Sequence, residues 1–314
     1  MEYSYLPDLN GWAALRAVVE KGGVTEAAKL LNVGQPAVTK RLRSLENSYG
    51  MPLLERVAGR LKLTSAGERV YRLAVQTLDR QAVLREDLQS LSKGRNTLRL
   101  DVAVAIGEHL LPGLLVRFNE QHPDMKIVSR LGYSRRIETR LATGLSDLAL
   151  LENAPDHPDI LAQKWMEDEL WLVCGRRHPL AGTALLPVER LTDLSYVLRE
   201  KRSTVRDATD EALRRIGIQK VRVALEAGST NTIIEMLGSG RHVSFLPRFA
   251  VRERVSEGSL QRLKVQGFRI MRTLWIARNR AALDHPVAEA FIKMVRETTL
   301  FSQEPTGRPG PRRP

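Results

Sequence analysis

The stretch Gln35-Pro36-Ala37-Val38-Thr39-Lys40-Arg41-Leu42-Arg43-Ser44-Leu45-Glu46 decides how the chain is read. Pro36 suits the first turn of a helix, where its missing N–H is one that the helix leaves unbonded anyway. At about 100° per residue, Val38, Leu42, Leu45 and Tyr49 gather on one side, with Pro36, Thr39, Lys40, Arg43 and Asn47 on the other. The apolar side must face a core. The other side presents a hydroxyl, two cations and an amide, the groups that meet phosphates and base edges in a major groove. Taken alone, the pattern equally describes a solvated amphipathic helix.

Its neighbours narrow the choice. Gly22-Gly23 ends a preceding helix, Thr25 is expected to cap the next, and Ala27-Ala28 lets a partner helix pack close. Asn32-Val33-Gly34 is a tight turn, so two short helices joined by a glycine turn make a helix-turn-helix. Downstream, Met51 to Arg56 and Arg60 to Thr64 alternate cations with apolar residues around Gly59, as a β-hairpin wing does. Ser65 and Glu68 have the spacing of a capping box for a long helix that follows.

The chain has 314 residues, enough for two or three compact units, and its 43% hydrophobic content can fill real cores. A formal net charge of +13 favours polyanionic partners, nucleic acid first and anionic membrane second. The single cysteine, Cys174, excludes an internal disulfide framework and a multi-cysteine metal site. The longest apolar stretch, Leu98 to Val116, is cut by Asp101, Glu108, His109 and Pro112, so no membrane span is expected. With no basic start and apolar run at Met1 to Leu15, a secretory signal is not read either, and a cytoplasmic location is expected.

The run Ala27-Ala28, Gln35-Pro36-Ala37-Val38-Thr39, Leu45-Glu46, Gly50, Leu53, Arg56, Leu63-Thr64 and Gly67 resembles the DNA-binding domain of LysR-type transcriptional regulators in order and spacing. Gly34 and Thr39 stand where that family usually has serine, and Leu54 where it has phenylalanine. The resemblance and the residue pattern together give a DNA-binding set of Thr25, Gln35, Pro36, Ala37, Thr39, Lys40, Arg43, Arg56, Arg60 and Lys62. The expected partner is double-stranded DNA.

From Val70 a heptad can be drawn through Thr77, Leu84 and Leu91, with Ala74, Gln81 and Leu88 on the second seam. About twenty-eight residues give a rod of about 42 Å. Thr77 and Gln81 interrupt the seam, so the helix also fits a linker packed on the body. In the resembled family it pairs chains, which implies a homodimer or homotetramer and two reading helices on two half-sites.

After a break at Lys93 to Asn96, strands alternate with helices to about Thr299, as in layered α/β folds. A strand from Leu98 to Ala105 is expected to end in Ile106-Gly107-Glu108-His109 before a helix. Arg202 to Arg206 and Ala227 to Asn231 likewise set hydroxyls at helix starts, where anions and capping side chains both fit. Leu111-Pro112, Phe118, Pro123, Gly144 with Asp147-Leu148-Ala149, Gly228-Ser229-Thr230 and Phe245-Leu246-Pro247 resemble the effector-binding domain of the same family. That resemblance implies a two-lobed α/β domain like a periplasmic binding protein. It also implies a small-molecule inducer held near Ile106, Gly107, Glu108, His109, Ser203, Thr204, Ser229 and Thr230. His242 stands where the family loop has glycine.

The expected architecture is therefore a winged helix-turn-helix (1–64), a linker helix and hinge (65–95) and an effector domain (96–300). Its lobe one covers 96–166 and 269–300, and its lobe two 167–268. The Pro-, Gly- and Arg-rich tail, 301–314, is expected to be disordered. The expected function is a DNA-binding regulator tuned by an inducer of unknown identity, acting through the polymerase site. The rival readings are a cytoplasmic small-molecule-binding protein or enzyme on the same two-lobed fold. Against an enzyme, the six histidines have no metal-type spacing, and no nucleophile elbow, P-loop or dinucleotide fingerprint occurs; no cofactor is expected.

Overall fold

The computed structural model describes residues 7–57, 60–91, 96–280 and 285–298. Gly59 of the expected hairpin, Lys93 to Arg95 of the expected hinge and the tail 301–314 lie outside the described residues, and so do the side chains of 60, 86, 87 and 89–91. The chain divides into two compact units, Met1–Lys93 and Gly94–Pro314.

The first unit runs α1 (Leu9–Lys21), α2 (Val24–Leu30), α3 (Gln35–Tyr49), β1 (Leu54–Val57), β2 (Arg60–Leu63) and α4 (Ser65–Leu91). Its core joins Ala14, Leu15 and Val18 of α1, Ala27 and Ala28 of α2 and Val38, Leu42 and Leu45 of α3. The methyl-sized side chains of α2 let it approach both neighbours. Gly50, at φ 68°, ends α3 in the left-handed conformation that glycine tolerates. Gly67 meets a different demand: a Cβ there would lie 2.0 Å from the Leu53 carbonyl oxygen, so only glycine lets α4 start against the wing.

Two caps differ from expectation. Gly23, not Thr25, is the N-cap of α2, and Thr25 lies inside the helix. Thr64, not Ser65, caps α4: its Oγ1 accepts from the Gly67 N–H at 3.0 Å and donates to the Pro52 carbonyl at 2.9 Å. That one hydroxyl ties the wing to the long helix, which a capping box from Ser65 cannot do. Along α4 the heptad divides. Ala74 is buried and Val70 packs on the helix-turn-helix core, while Leu84 and Leu88 are exposed. Arg16 of α1 pairs with Asp79 at 2.6 Å and holds the first half of the rod in place.

The second unit contains β3 (Thr97–Ala103), α5 (Val104–His109), α6 (Leu111–Gln121), β4 (Lys126–Gly132), α7 (Ser134–Ala142), β5 (Leu148–Leu151) and β6 (Ile160–Gly175). It continues through β7 (Ser195–Arg199), α8 (Thr204–Arg215), β8 (Arg222–Ala227), α9 (Thr230–Leu237), β9 (Val243–Pro247), α10 (Arg248–Ser256), β10 (Leu260–Arg262), β11 (Ile270–Asn279) and α11 (Pro286–Glu297). β3 stops at Ala103, two residues earlier than the sequence suggests, and Ile106 to His109 are themselves helical.

The strands form one sheet in the order β4-β3-β5-β11-β6-β9-β7-β8, with β10 against β6. β3 runs parallel to β4 and β5, and β7 parallel to β8 and β9. β6 and β11 are antiparallel, and they cross between the two groups. The 16 residues of β6 pair with β11 from Ile160 to Leu170 and then with β9 from Leu170 to Cys174, so one strand serves both lobes. The apolar run Leu148 to Leu151 is buried at every position, as a parallel strand covered by helices on both faces must be. Phe118 of α6 and Phe291 of α11 meet edge-on at 5.5 Å in the lobe-one core, while Tyr196 and Phe245 stack in lobe two.

Asp147 fastens the lobe-one strands. Its carboxylate accepts from the Arg99 backbone N–H at 2.8 Å and from the Arg99 guanidinium at 2.6 Å, and lies 3.6 Å from His285 Nε2. His285 Nδ1 in turn accepts from the Ala288 N–H and caps α11. Burial raises the Asp147 carboxyl, but the bonds from His285 and Arg99 outweigh it and hold the group well below the usual aspartate range. A carboxyl depressed by folding stabilises the fold above its unfolded value, about 3.9, and loses that contribution as pH falls toward the folded value. Asp147→Asn removes the charge facing Arg99. It is expected to cost about 3 kcal/mol at pH 7 and to flatten the acid limb of stability below about pH 4, as read by urea unfolding of both proteins.

Candidate functional site

The first candidate surface is the outer side of α3. With Val38, Leu42 and Leu45 buried, Gln35, Pro36, Lys40 and Arg43 are exposed and Ala37 and Thr39 are half-buried. Thr39 Oγ1 donates to the Gln35 carbonyl at 3.1 Å, a back-bond that leaves its lone pairs facing outward. Thr25 is exposed on α2, and with Gln35 it borders an open concavity of about 520 Å³ that also includes Lys29 and Asn32. Gly34 is the N-cap of α3 and supplies no side-chain bond, so the serine usual in the resembled family has no substitute here.

The wing is a two-stranded antiparallel hairpin in which Glu55 pairs with Lys62, Arg56 with Leu61 and Val57 with Arg60. Because paired residues share a face, Arg56 and Lys62 leave the hairpin on opposite sides. Lys62 sits across from Glu55, and Arg56 from Leu61. Both are exposed; Arg60 is placed by register only. A residue outside the expected DNA-binding set holds the wing. Glu46, at the inner end of α3, accepts from the Leu53 N–H at 2.8 Å and the Leu54 N–H at 3.3 Å. Its acidic charge amid cations was the available signal.

The second candidate site lies at the carboxyl ends of the sheet strands, between the lobes. Ser203 is buried as the N-cap of α8, Ser229 is the N-cap of α9, and Thr230 is fully buried. Glu108 comes across from α5: its Oε1 accepts from Ser229 Oγ at 2.9 Å and its Oε2 from the Thr230 N–H at 3.2 Å. Thr204 Oγ1 donates to Glu152, the residue after β5. Both links join a lobe-one carboxylate to a lobe-two helix start. The cleft between Ala103, Tyr133, Arg199, Ser203 and Thr204 measures about 10 Å³, roughly the room of one water. Tyr133, Arg202 and Thr204 also line an outer groove of about 1530 Å³ bordered by Arg135, Arg136 and Met271.

Other expected residues behave differently. Ile106 has no exposed surface and belongs to the lobe-one core. Gly107 is buried against Leu131, whose Cδ2 would lie 2.0 Å from a Cβ there. His109 is set beside Glu108 at 3.8 Å and Phe249 at 6.4 Å between ring centres; burial lowers its pKa against the pull of Glu108. Arg206, just after Thr204, bonds Asp210, Glu226 and the Arg199 carbonyl, so its charge is engaged within lobe two. His242 bonds Ser195 at 3.1 Å, at the start of β7 and so at the end of the strand away from the cleft.

The floor of the cleft holds an ion cluster that the sequence did not announce. Arg272 of β11 donates to Asp168 of β6 at 2.8 Å and lies 3.0 Å from Glu152 at an angle too oblique for a hydrogen bond. Burial raises the Asp168 carboxyl despite Arg272. Arg202, exposed at the groove, has φ 93°, a strained position for a residue with a Cβ.

Two family profiles match the chain. Residues 9–68 match the bacterial regulatory helix-turn-helix protein, lysR family, and residues 92–300 match the LysR substrate binding domain. The HTH-type transcriptional activator CmpR of Synechocystis is 29% identical over 287 residues, covering 90% of this chain and 93% of the relative. A probable RuBisCO transcriptional regulator of Nostoc is 30% identical over 291 residues, covering 88% and 84%. Among solved structures, full-length CbnR complexed with its target DNA superposes with a TM-score of 0.71 at 20% identity, over 92% of this chain and 99% of that one. The CcmR regulatory domain of Synechocystis in complex with 2-PG gives 0.58 at 26% identity, over 64% and 95%.

Glu46→Ala removes the acceptor that fixes the wing while leaving α3 outward-facing. Affinity for a duplex that the intact protein selects is expected to fall about tenfold with little change in its sequence preference, as read by competition gel shift.

Proposed function

The chain belongs to the LysR family of bacterial transcription regulators, and from that premise we propose how its two sites work together. The protein is a DNA-binding regulator whose output is set by a small molecule held in its two-lobed α/β domain; it is not an enzyme. The observation that carries this reading is the division of α3, whose apolar face is consumed by the core while Lys40 and Arg43 stand free at its surface.

In this reading α3 enters the major groove. Gln35, Pro36, Ala37 and Thr39 lie along base edges and the near backbone, and Lys40 and Arg43 meet phosphates or guanine edges. Thr25 touches a phosphate beside the turn, and Arg56, Arg60 and Lys62 carry the wing to the flanking backbone from its two sides. The effector lies near Glu108, His109, Ser203, Thr204, Ser229 and Thr230, with Ile106 and Gly107 shaping the wall behind them. The units assigned are the winged helix-turn-helix 1–64, the linker helix 65–95 and the effector domain 96–300.

The exposed Leu84 and Leu88 support pairing of the linker helices in a homodimer, two of which join as a homotetramer through the effector domains. Ligand binding shifts the angle between lobes, hence the spacing of the DNA-binding pairs and the access of RNA polymerase. Such a shift needs a ligand that binds one arrangement more tightly than the other. Among the described residues no helix is long and apolar enough to cross a membrane, in keeping with a cytoplasmic regulator on DNA.

Arg43→Ala is expected to weaken binding to DNA upstream of the protein's own gene by about tenfold or more. A gel shift unchanged in the variant contradicts the assignment of α3. For the effector site, thermal-shift titration against small acids, 2-PG first, is expected to raise the melting temperature of the intact protein. Ser229→Ala is expected to blunt that rise while sparing DNA binding.

A further inference from the structure

The start of α9 already holds a carboxylate. Glu108 fills it with one oxygen on the Ser229 hydroxyl and the other on the Thr230 N–H, the donors that a helix N-terminus offers to an anion. The site is reinforced from behind, where Arg199 donates to Thr230 Oγ1 at 3.2 Å and is itself buried. Ser229 also accepts from the Thr232 N–H, so its hydroxyl hydrogen is turned toward Glu108. The side chain of Glu108 is only 17% exposed.

We propose that Glu108 is a tethered competitor for an oxyanion, carboxylate or phosphoryl, at the α9 start, and that an effector binds by displacing it. The inference rests on the α9 start being part of the effector site. Two consequences follow from the geometry. The first is selectivity: a ligand gains only the difference between its own anion and the Glu108 carboxylate, so the tether raises the apparent dissociation constant by the inverse of the fraction of time Glu108 is away. The second is coupling. Glu108 belongs to lobe one and its partners to lobe two, so displacement breaks a bond pair between lobes. The Glu152–Thr204 link and the crossing strands β6 and β11 then remain as the hinge. Occupancy and lobe angle are thereby tied through one side chain.

The test uses the full chain and two simple probes, inorganic phosphate and acetate, at fixed ionic strength. Kd is measured by calorimetry and amide exchange is followed at residues 229–232. Glu108→Gln and Glu108→Ala are expected to bind at least one probe about tenfold tighter than the intact protein. The tighter probe tells whether a phosphoryl or a carboxyl group suits the site. In the alanine variant the Thr230 amide is expected to exchange faster, and added probe to slow it again. Ser229→Ala placed on Glu108→Ala is expected to abolish the gain. The tether is overturned if both Glu108 variants, folded by circular dichroism, bind the probes within twofold of the intact protein or not at all. If Ser229→Ala has no effect on probe binding in either background, the α9 start is not an effector site, and the reading beneath the tether fails with it.

Discussion

Burial of Val38, Leu42 and Leu45 fixes the rotation of α3 about its own axis, and with it the direction of every polar side chain that the helix carries. The constraint is steric and hydrophobic. Three branched side chains interdigitate with Ala14, Leu15 and Val18 of α1 and the small residues of α2. Turning the helix by even one residue would expose about one large apolar side chain, at about 1.5–3 kcal/mol, and put a cation in its place. The surface of Lys40 and Arg43 is therefore a consequence of the core. Glu46 and Thr64 extend the same frame to the wing and the long helix, one carboxylate and one hydroxyl each joining two elements.

The effector unit solves a different problem, holding two lobes in register while leaving them able to move. β6 and β11 pair over ten residues of β11, yet a register shift at Leu274/Trp275 interrupts the ladder between the lobes. The side chains of Arg272, Asp168 and Glu152 are buried close to that interruption. An ion cluster of this kind adds little net stability, since removing three charged groups from water offsets their attraction. It does impose geometry: Glu152 must face both Arg272 and Thr204, and so ties the hinge to the first turn of α8. Glu108 makes the parallel connection to α9. The two lobes thus meet through carboxylates at helix starts, contacts that a competing anion can replace and an apolar interface could not offer.

Local pattern made much of this legible. The division of α3, the glycine before it, Gly67 and the alternation of strands and helices after residue 96 each follow from spacing and residue type, and the family profiles agree on both halves. What the sequence left hidden are the contacts between distant residues. Thr25 and Ser65 had the right chemistry for caps, but Gly23 and Thr64 occupy those positions, because a cap is chosen by where the helix begins to close its bonds. Val104 and Ala105 read as the end of a strand and Ile106 to His109 as the loop after it, yet all six residues turn helical where the chain leaves the sheet. Glu108 stood in the expected site only as a member of a loop; that it spans the cleft to Ser229 depends on a sequence separation of 121 residues, which no local pattern encodes. Arg272 and Asp168 look like ordinary solvated positions in alternating strands until the crossing of β6 and β11 buries them.

The central claim is that the cationic face of α3 lies along a DNA duplex. Its most direct measurement places a photocrosslinking residue singly at positions 36, 40, 43 and 47 of α3, with a control at Arg117 on α6, in protein bound to the duplex it selects. If α3 lies in the groove, the α3 positions crosslink to that duplex, the crosslinks are lost on adding unlabelled duplex of the same sequence, and the control gives none. Selective binding without any crosslink from α3 would contradict it.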